Sequence, residues 1–126
     1  MTQSEDLHKR LARRQEIKIS VVGRKSGRTI VIPVWFVLEK DYLYLLPVFG
    51  ADTQWFKNFE HNRFIGISAG GWEANFKGRI LRDKEVVKQV VEKFREKYGA
   101  ADVKKYYSKF DVAVRLSLSE PGSAVA

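Results

Sequence analysis

The sequence contains no cysteine, only two histidines and one methionine among its 126 residues. The absence of cysteine excludes disulfide bonds, thiolate nucleophiles and zinc or iron–sulfur sites with cysteine ligands. A protein that needs no oxidised cross-links is expected in the cytoplasm. His8 and His61 lie far apart in the chain and lack metal-ligand spacing, so we expect no metal site.

Long apolar runs are also missing, so no segment is expected to span a membrane. Residues 1–14 are polar and charged, unlike the apolar centre of a signal peptide. The hydrophobic fraction of 44% and the aromatic fraction of 13% suffice for a packed core. We therefore expect one domain over residues 1–126, with a basic helix within residues 1–15 and a frayed tail over residues 120–126.

Charge of one sign is in excess: 23 lysines and arginines against 15 acidic residues give a net charge of +8. Such a balance favours an anionic partner. Nucleic acid, a phosphorylated cofactor and an anionic membrane surface all meet that description. General solubility is the alternative explanation of the charge.

Hydrophobic periodicity predicts six strands. Ile17, Ile19 and Val21 alternate with polar residues, which is typical of a half-buried strand. The segment Thr29–Leu38 is almost entirely apolar, which predicts a strand buried on both faces. Pro33 within it cannot donate to a strand ladder and predicts a bulge or an edge. The six predicted strands are Ile17–Val21, Thr29–Leu38, Tyr42–Leu46, Phe64–Ala69, Trp72–Leu81 and Phe110–Leu118.

Two helices interrupt these strands. Asp52 or Thr53 is expected to cap a short helix that carries Trp55. Asp83 is expected to cap the longest helix, which Gly99 ends. Mostly tight turns between the strands, including Gly70-Gly71, favour a mainly β, α+β fold: a closed or partly closed six-stranded antiparallel barrel with inserted helices.

The turn Gly23–Arg28 is the strongest local signal. Two glycines permit a tight turn with inward-facing backbone N–H groups, and Arg24, Lys25, Ser26 and Arg28 surround it with charge and donors. A phosphate requires such converging donors in a positive field. The turn lacks the Gly-Lys-Ser/Thr ending of a P-loop. A basic hairpin turn without a ligand remains the alternative.

This turn and the motifs after it resemble the deazaflavin-dependent nitroreductase family, which has the split β-barrel, FMN-binding-like fold. The resemblance runs from about Val21 to Leu81. The motifs that carry it are Gly23-Arg24-Lys25-Ser26-Gly27, Pro33-Val34-Trp35-Phe36, Leu43-Tyr44-Leu45, Trp55-Phe56-Lys57-Asn58 and Asn62-Arg63.

The resemblance implies a cofactor-binding oxidoreductase whose cofactor is coenzyme F-420, the deazaflavin, or FMN. Its phosphate would lie on the turn, and its ring would contact the strand, the loop and the short helix that follow. The implied cofactor-binding residues are Arg24, Lys25, Ser26, Gly27, Arg28, Pro33, Val34, Trp35, Pro47, Val48, Phe49, Gly50, Trp55 and Asn58. Tyr106 and Tyr107 match the region that lines the family's substrate pocket, although ordinary packing would also explain them.

One position departs from the family pattern. Family members usually carry an arginine where this chain has Ile30, and Arg28 is expected on the same strand face. The implied function is hydride transfer between the bound cofactor and a small organic acceptor, with no catalytic side chain assigned. The alternatives are a basic nucleic-acid-binding barrel and a cofactor-binding protein without turnover. We expect small-molecule partners, no specific nucleic acid, no membrane span, and a monomer or homodimer.

Overall fold

A computed structural model describes residues 9–119 of the chain. Within that part the strands are β1 (Ile17–Val22), β2 (Thr29–Val34), β3 (Val37–Glu39), β4 (Tyr42–Leu45), β5 (Phe64–Ala69), β6 (Trp72–Lys77), β7 (Arg79–Leu81) and β8 (Ala113–Ser117). The helices are α1 (Gln54–Asn62), α2 (Lys84–Tyr98) and α3 (Ala100–Tyr106), preceded by a 3-10 turn over Gly50–Asp52. Residues 9–11 are also helical.

The described strands form two antiparallel four-stranded sheets. Sheet A has the order β2-β1-β5-β6, and sheet B has the order β3-β4-β8-β7. The prediction of a mainly β fold with inserted helices is confirmed, whereas the prediction of six strands is wrong, and of the predicted closed or partly closed barrel the closed form is not seen. Two of the six predicted strands are each divided, which gives eight strands and separates the sheets.

The first division falls at Trp35 and Phe36, within the predicted strand Thr29–Leu38. Backbone groups of Phe36 bond with side chains of α2 instead of with a neighbouring strand: its N–H donates to the Tyr98 hydroxyl over 3.0 Å. Its carbonyl accepts a hydrogen bond from Lys97 Nζ over 2.8 Å. Strand pairing therefore stops at this point and resumes in β3.

The predicted burial of this segment on both faces is also wrong, because β2 is an edge strand. Val31 keeps 59% of its surface exposed. Pro33 pairs with Lys18 of β1 and has no strand on its other side. The expectation that Pro33 marks an edge is confirmed.

The second division falls at Gly78, inside the predicted strand Trp72–Leu81. A Cβ atom at Gly78 would lie 2.6 Å from Phe59 Cζ and 2.9 Å from Leu116 Cδ2. Only glycine lets the backbone pass this close to two buried side chains. The chain changes from sheet A to sheet B at this glycine.

Two apolar clusters fill the interior. The first includes Ile17, Ile19 and Val21 of β1, whose predicted alternation is confirmed, together with the buried side chains of Phe56 and Phe59 of α1. The second packs the apolar stripe of α2 against sheet B and α3. The residues of α2 in this stripe that are buried are Val87, Val90, Val91 and Phe94.

The ends of α2 are as predicted. Asp83 accepts hydrogen bonds from the N–H groups of Glu85 and Val86, at 2.9 and 3.2 Å. Gly99 ends the helix with a φ of 93°. The last strand is shorter than predicted, since Phe110 lies before β8 and is 38% exposed.

The expectations for residues 1–8, including His8, and for the tail 120–126 fall outside the described residues. Leu11, close to the start of the described residues, is buried in the first cluster. No helix among residues 9–119 is long and apolar enough to cross a membrane.

Candidate functional site

A cavity of about 440 Å³ opens beside edge strand β2. Most of its lining is apolar or aromatic, and it brings together residues that are far apart in the sequence. The lining residues are Glu16, Ile32, Pro33, Val34, Trp35, Leu46, Val48, Trp55, Tyr106 and Tyr107. Seven of these were predicted as site residues: Pro33, Val34, Trp35, Val48, Trp55, Tyr106 and Tyr107.

Sequence reasoning missed the other three lining residues. Ile32 pairs with buried Ile19 across the β1–β2 ladder, and opposed residues share one face of a sheet. Strand alternation therefore contained the signal for Ile32. Leu46 directly follows β4 and is buried. Glu16 directly precedes β1, and no pattern in the sequence singled it out.

Trp35 forms one wall of the cavity and is held among three tyrosines. It stacks on Tyr98 with ring centroids 4.2 Å apart and an interplanar angle of 7°. Tyr106 meets it edge to face at 5.5 Å, and Tyr107 lies at 6.1 Å. Such contacts fix the orientation of the indole ring.

The Tyr98 hydroxyl, near the end of α2, lies within hydrogen-bonding distance of three backbone groups. The hydroxyl accepts from Phe36 N–H, and it lies 2.7 Å from the Gln15 carbonyl oxygen and 2.8 Å from that of Phe36. Its single proton donates to one of these oxygens at a time. Burial raises the pKa of Tyr98 to about 12, so this phenol stays protonated.

Lys97, the residue before Tyr98, also contacts Phe36. Its ammonium lies 3.6 Å from the centroid of the Phe36 ring while it donates to the Phe36 carbonyl. Burial lowers the pKa of Lys97 to about 8. Lys97 and Tyr98 of α2 thus fix the break between β2 and β3. Trp35, which lies in this break, is positioned with it.

The turn Gly23–Arg28 joins β1 to β2 and is closed by its own backbone. Gly23 N–H donates to the Arg28 carbonyl over 2.8 Å, and Gly27 N–H donates to the Gly23 carbonyl over 2.9 Å. Gly27 has a φ of +71°, which disfavours other residues. The Ser26 hydroxyl oxygen accepts from Arg28 N–H over 3.2 Å, so part of this predicted phosphate site is used within the turn.

Arg24 points toward α1. Its backbone N–H and its guanidinium both donate to Asn58 Oδ1, at 3.1 and 2.8 Å. The guanidinium also donates to Gln54 Oε1 over 3.0 Å. Asn58 is buried, so this amide fixes the turn to the helix. Trp55 of the same helix lines the cavity and lies three residues before Asn58, so α1 contacts both the turn and the cavity.

Two cations of the turn remain available. Lys25 and Arg28 are exposed, and their side chains make no hydrogen bond or ion pair with residues 9–119. Ile30, which stands where the nitroreductase family has arginine, pairs with Val21 across the β1–β2 ladder. Ile30 therefore lies on the same sheet face as the buried residues of β1.

The loop from Pro47 to Gly50 contributes one side chain, Val48, to the cavity. Ser108 N–H donates to the Val48 carbonyl over 2.9 Å, which ties the loop to the segment after α3. Pro47 is buried and Phe49 is 57% exposed. Of the four loop residues predicted to contact a cofactor ring, Val48 is therefore the one that lines the cavity.

The far end of the same loop is also anchored. Asp111 Oδ1 accepts a hydrogen bond from Ala51 N–H over 3.0 Å. A Cβ at Gly50 would lie 2.0 Å from that oxygen, and its φ is +57°. Lys109 pairs with Asp52 over 3.1 Å.

No group of three or more His, Cys, Asp or Glu side chains in residues 9–119 has an arrangement that could hold a metal ion. His61 is exposed in the last turn of α1. It does not line the cavity.

Comparison of the fold finds similar solved structures at low sequence identity. An F420-H2-dependent reductase matches with a TM-score of 0.64 and 18% identity, over 82% of this chain and 95% of that one. A Listeria innocua protein provisionally named a pyridoxamine 5'-phosphate oxidase matches with a TM-score of 0.70 and 12% identity, over 97% and 95%. The heme storage protein of Vibrio cholerae matches with a TM-score of 0.68 and 16% identity, over 98% and 93%.

These similarities establish the fold, which matches split-barrel, FMN-binding-like proteins. The resemblance to deazaflavin-dependent nitroreductases is thus supported at the level of the fold. A sequence comparison with curated proteins finds no match. Residues 7–116 match a family model described as "Uncharacterized protein conserved in bacteria (DUF2255)", and the chain belongs to that family.

Proposed function

We propose that this protein is an oxidoreductase that binds coenzyme F-420 or FMN and transfers a hydride between that cofactor and a small organic acceptor. The observation that carries the proposal is the joining of an aromatic cavity to a basic glycine turn through one helix, α1. A cofactor with a flat apolar ring and a phosphate at the end of a chain requires both parts. The split-barrel fold is consistent with it.

The cavity suits the ring of such a cofactor. Its volume lies within the range of about 300–1,000 Å³ that is usual for ligand sites. Trp35 offers a rigid aromatic wall, and Val34 and Ile32 offer an apolar one. The exposed edge strand β2 leaves room for a planar ligand where another strand would otherwise pair.

The turn suits the phosphate. Lys25 and Arg28 supply the charge, and the Ser26 hydroxyl proton is available to donate because only its oxygen is used within the turn. Gly27 leaves open space where a side chain would otherwise stand. Arg24 acts here as a positioning residue, since its guanidinium is held by Asn58 and Gln54.

The cofactor supplies the hydride chemistry when it is bound. The protein binds and orients it, and the aromatic walls exclude water from the reacting atoms. Tyr106 and Tyr107 line the acceptor side. Burial raises the pKa of Tyr107, so its phenol remains a neutral donor rather than a phenolate.

Heme is a weaker candidate, although one structural neighbour stores it. Histidine, cysteine and methionine, the usual axial ligands, are absent from the lining of the described cavity. The cavity chemistry therefore favours a flavin-type ring.

Titration of the purified protein with FMN and with coenzyme F-420, followed by fluorescence, tests the proposal. We expect saturable binding of one of them at micromolar concentration. Lys25→Ala should weaken it by about ten- to a hundredfold, because a charge-assisted hydrogen bond contributes roughly 1.5–3 kcal/mol. The melting temperature should not change, since Lys25 is exposed and its side chain makes no hydrogen bond or ion pair with the described residues.

Lys88→Ala is the matched control. It removes the same charge from an exposed site on α2 and should leave the dissociation constant unchanged. Absence of saturable binding to either cofactor would refute the proposed function. Equal weakening by both variants would show that general charge, and not the turn, attracts the cofactor.

A further inference from the structure

The cavity differs in charge from the rest of the molecule. The chain carries 23 lysines and arginines, yet none of them lines the cavity. Its one charged lining residue is Glu16, and the four aromatic lining residues are Trp35, Trp55, Tyr106 and Tyr107. A carboxylate among aromatic rings is an arrangement that attracts cations.

Several carboxylates of the described residues are paired with cations, whereas Glu16 is not. Glu39 pairs with Lys93, Glu60 with Arg82, and Asp52 with Lys109. Glu16 makes no ion pair or hydrogen bond with residues 9–119. Its carboxylate is therefore free to meet a ligand at the cavity.

The backbone beside Glu16 is anchored, whereas its side chain is exposed at the mouth of the cavity. The carbonyl of the preceding residue, Gln15, accepts a hydrogen bond from the Tyr98 hydroxyl over 2.7 Å. The negative charge of Glu16 also contributes to the raised pKa of Tyr98, after the larger effect of burial. Glu16 and Trp35 line the same cavity, and Tyr98 stacks on Trp35.

Aromatic rings attract organic cations through the negative potential of their faces. The Glu16 carboxylate lines the same cavity and adds a Coulomb attraction, which solvent moderates because Glu16 is exposed. The ring of Tyr106 already interacts with a cation of the protein itself, since Lys105 Nζ lies 5.3 Å from its centroid.

We propose that the part of the cavity left beside the cofactor ring selects a planar organic cation, of the N-alkylpyridinium or iminium class, as the hydride acceptor, and that Glu16 determines this specificity. Cation binding follows from the cavity alone, whereas the identity of the hydride donor, a reduced deazaflavin or flavin, rests on the proposed function.

The chemistry of such an acceptor agrees with the residues present. The hydride brings both electrons of the new C–H bond to the carbon of the C=N⁺ group. The π electrons of that group move onto nitrogen as a lone pair, which neutralises the charge, and the donor is oxidised by two electrons. No proton is required, and the cavity contains no histidine to deliver one.

The net charge of +8 does not prevent this binding. At physiological ionic strength, charges separated by more than about 8 Å are largely screened, so contacts within the cavity decide the affinity. Lowering the salt concentration should therefore weaken cation binding slightly, since the distant lysines and arginines then repel more strongly.

N-Methylacridinium and acridine form the matched pair of probes. They share one ring system, and acridine is uncharged at neutral to mildly alkaline pH. Quenching of tryptophan fluorescence reports binding, because Trp35 and Trp55 line the cavity. We expect the wild-type protein to bind the cation at least about tenfold more tightly than acridine.

Glu16→Gln should abolish most of that preference, with about tenfold weaker binding of N-methylacridinium and unchanged binding of acridine. Glu73→Gln is the control, since it removes the same charge from an exposed residue of β6 outside the cavity. It should leave both dissociation constants unchanged. Melting temperatures of both variants should match the wild type.

Equal affinity of the wild type for the two probes would overturn the inference. So would a Glu16→Gln protein that binds the cation as before, or one that loses both probes alike. Separate titrations with FMN and coenzyme F-420 distinguish the two proposals. Cation selectivity without cofactor binding would refute the proposed function alone, and cofactor binding without cation selectivity would refute this inference alone.

Discussion

The side-chain oxygen of Asn58 accepts two hydrogen bonds from Arg24, one from its backbone and one from its guanidinium. Only 6% of Asn58 is exposed, so water cannot replace it as the acceptor. Together with Gln54, which also accepts from the Arg24 guanidinium, this amide holds the turn Gly23–Arg28 against α1. Its role is to position the turn rather than to touch a ligand directly.

Asn58→Ala should therefore lower both stability and cofactor affinity. Loss of a buried acceptor for a charged donor costs about 1.5–3 kcal/mol, and displacement of the turn should weaken FMN or F-420 binding by about tenfold. Asn58→Asp keeps an oxygen acceptor opposite Arg24 and should retain most of both properties. Thermal melts and binding titrations on the two variants measure this. An alanine variant with unchanged affinity would show that the turn does not depend on α1.

Glu16 shows why some residues of the candidate site could not be predicted from the sequence. The predicted site residues belonged mostly to short motifs with glycine, proline or tryptophan, which can be recognised along the sequence. Glu16 has no motif, and its importance comes only from the aromatic residues that the fold brings beside it. Residues that come together only in the folded chain have no fixed separation in the sequence by which they could be recognised.

At the scale of elements, the two divided strands are the main difference from expectation. Alternation correctly located β1, and capping residues correctly located α2. The sequence signal for Thr29–Leu38 was continuous because the apolar residues do not stop where the hydrogen bonding changes. That change comes from Lys97 and Tyr98, more than sixty residues later in the chain.

Gly78 makes the second division testable. Gly78→Ala should destabilise the protein by about 1–3 kcal/mol, because its methyl group would overlap the ring of Phe59 and the side chain of Leu116. Phe59→Leu should recover part of this loss in the double variant, since the smaller side chain makes room. Urea denaturation of the two single variants and the double variant gives the coupling energy. Additive effects would show that Gly78 and Phe59 do not clash.

At the scale of the whole molecule, stability should depend on alkaline pH in two opposite ways. Burial lowers the pKa of Lys97 to about 8, from an ordinary value of 10.5. Between these values the folded protein holds fewer protons than the unfolded chain, so stability should rise with pH. Burial raises the pKa of Tyr98 from 10.0 to about 12, so the folded protein keeps a proton that the unfolded chain loses. Stability should therefore fall again above about pH 10.

Lys97→Met should remove the rise that begins near pH 8 and leave the later fall in place. Lys88→Met, an exposed position on the same helix, should preserve both. Urea melts at intervals from neutral pH upward measure the free energy of unfolding. A wild-type curve that declines steadily from pH 8 would contradict the prediction.

The order of strands in sheet B has a consequence for biosynthesis. Strand β8 is the last described strand in the chain, yet it lies inside the sheet between β4 and β7. All four strands of sheet A lie before residue 78, so this sheet can form once residue 77 has left the ribosome. Sheet B must wait for residues 113–117, and until then β4 and β7 have unpaired edges. A nascent chain would thus hold a paired sheet A beside an incomplete sheet B, a state in which β4 is open to pairing with another chain.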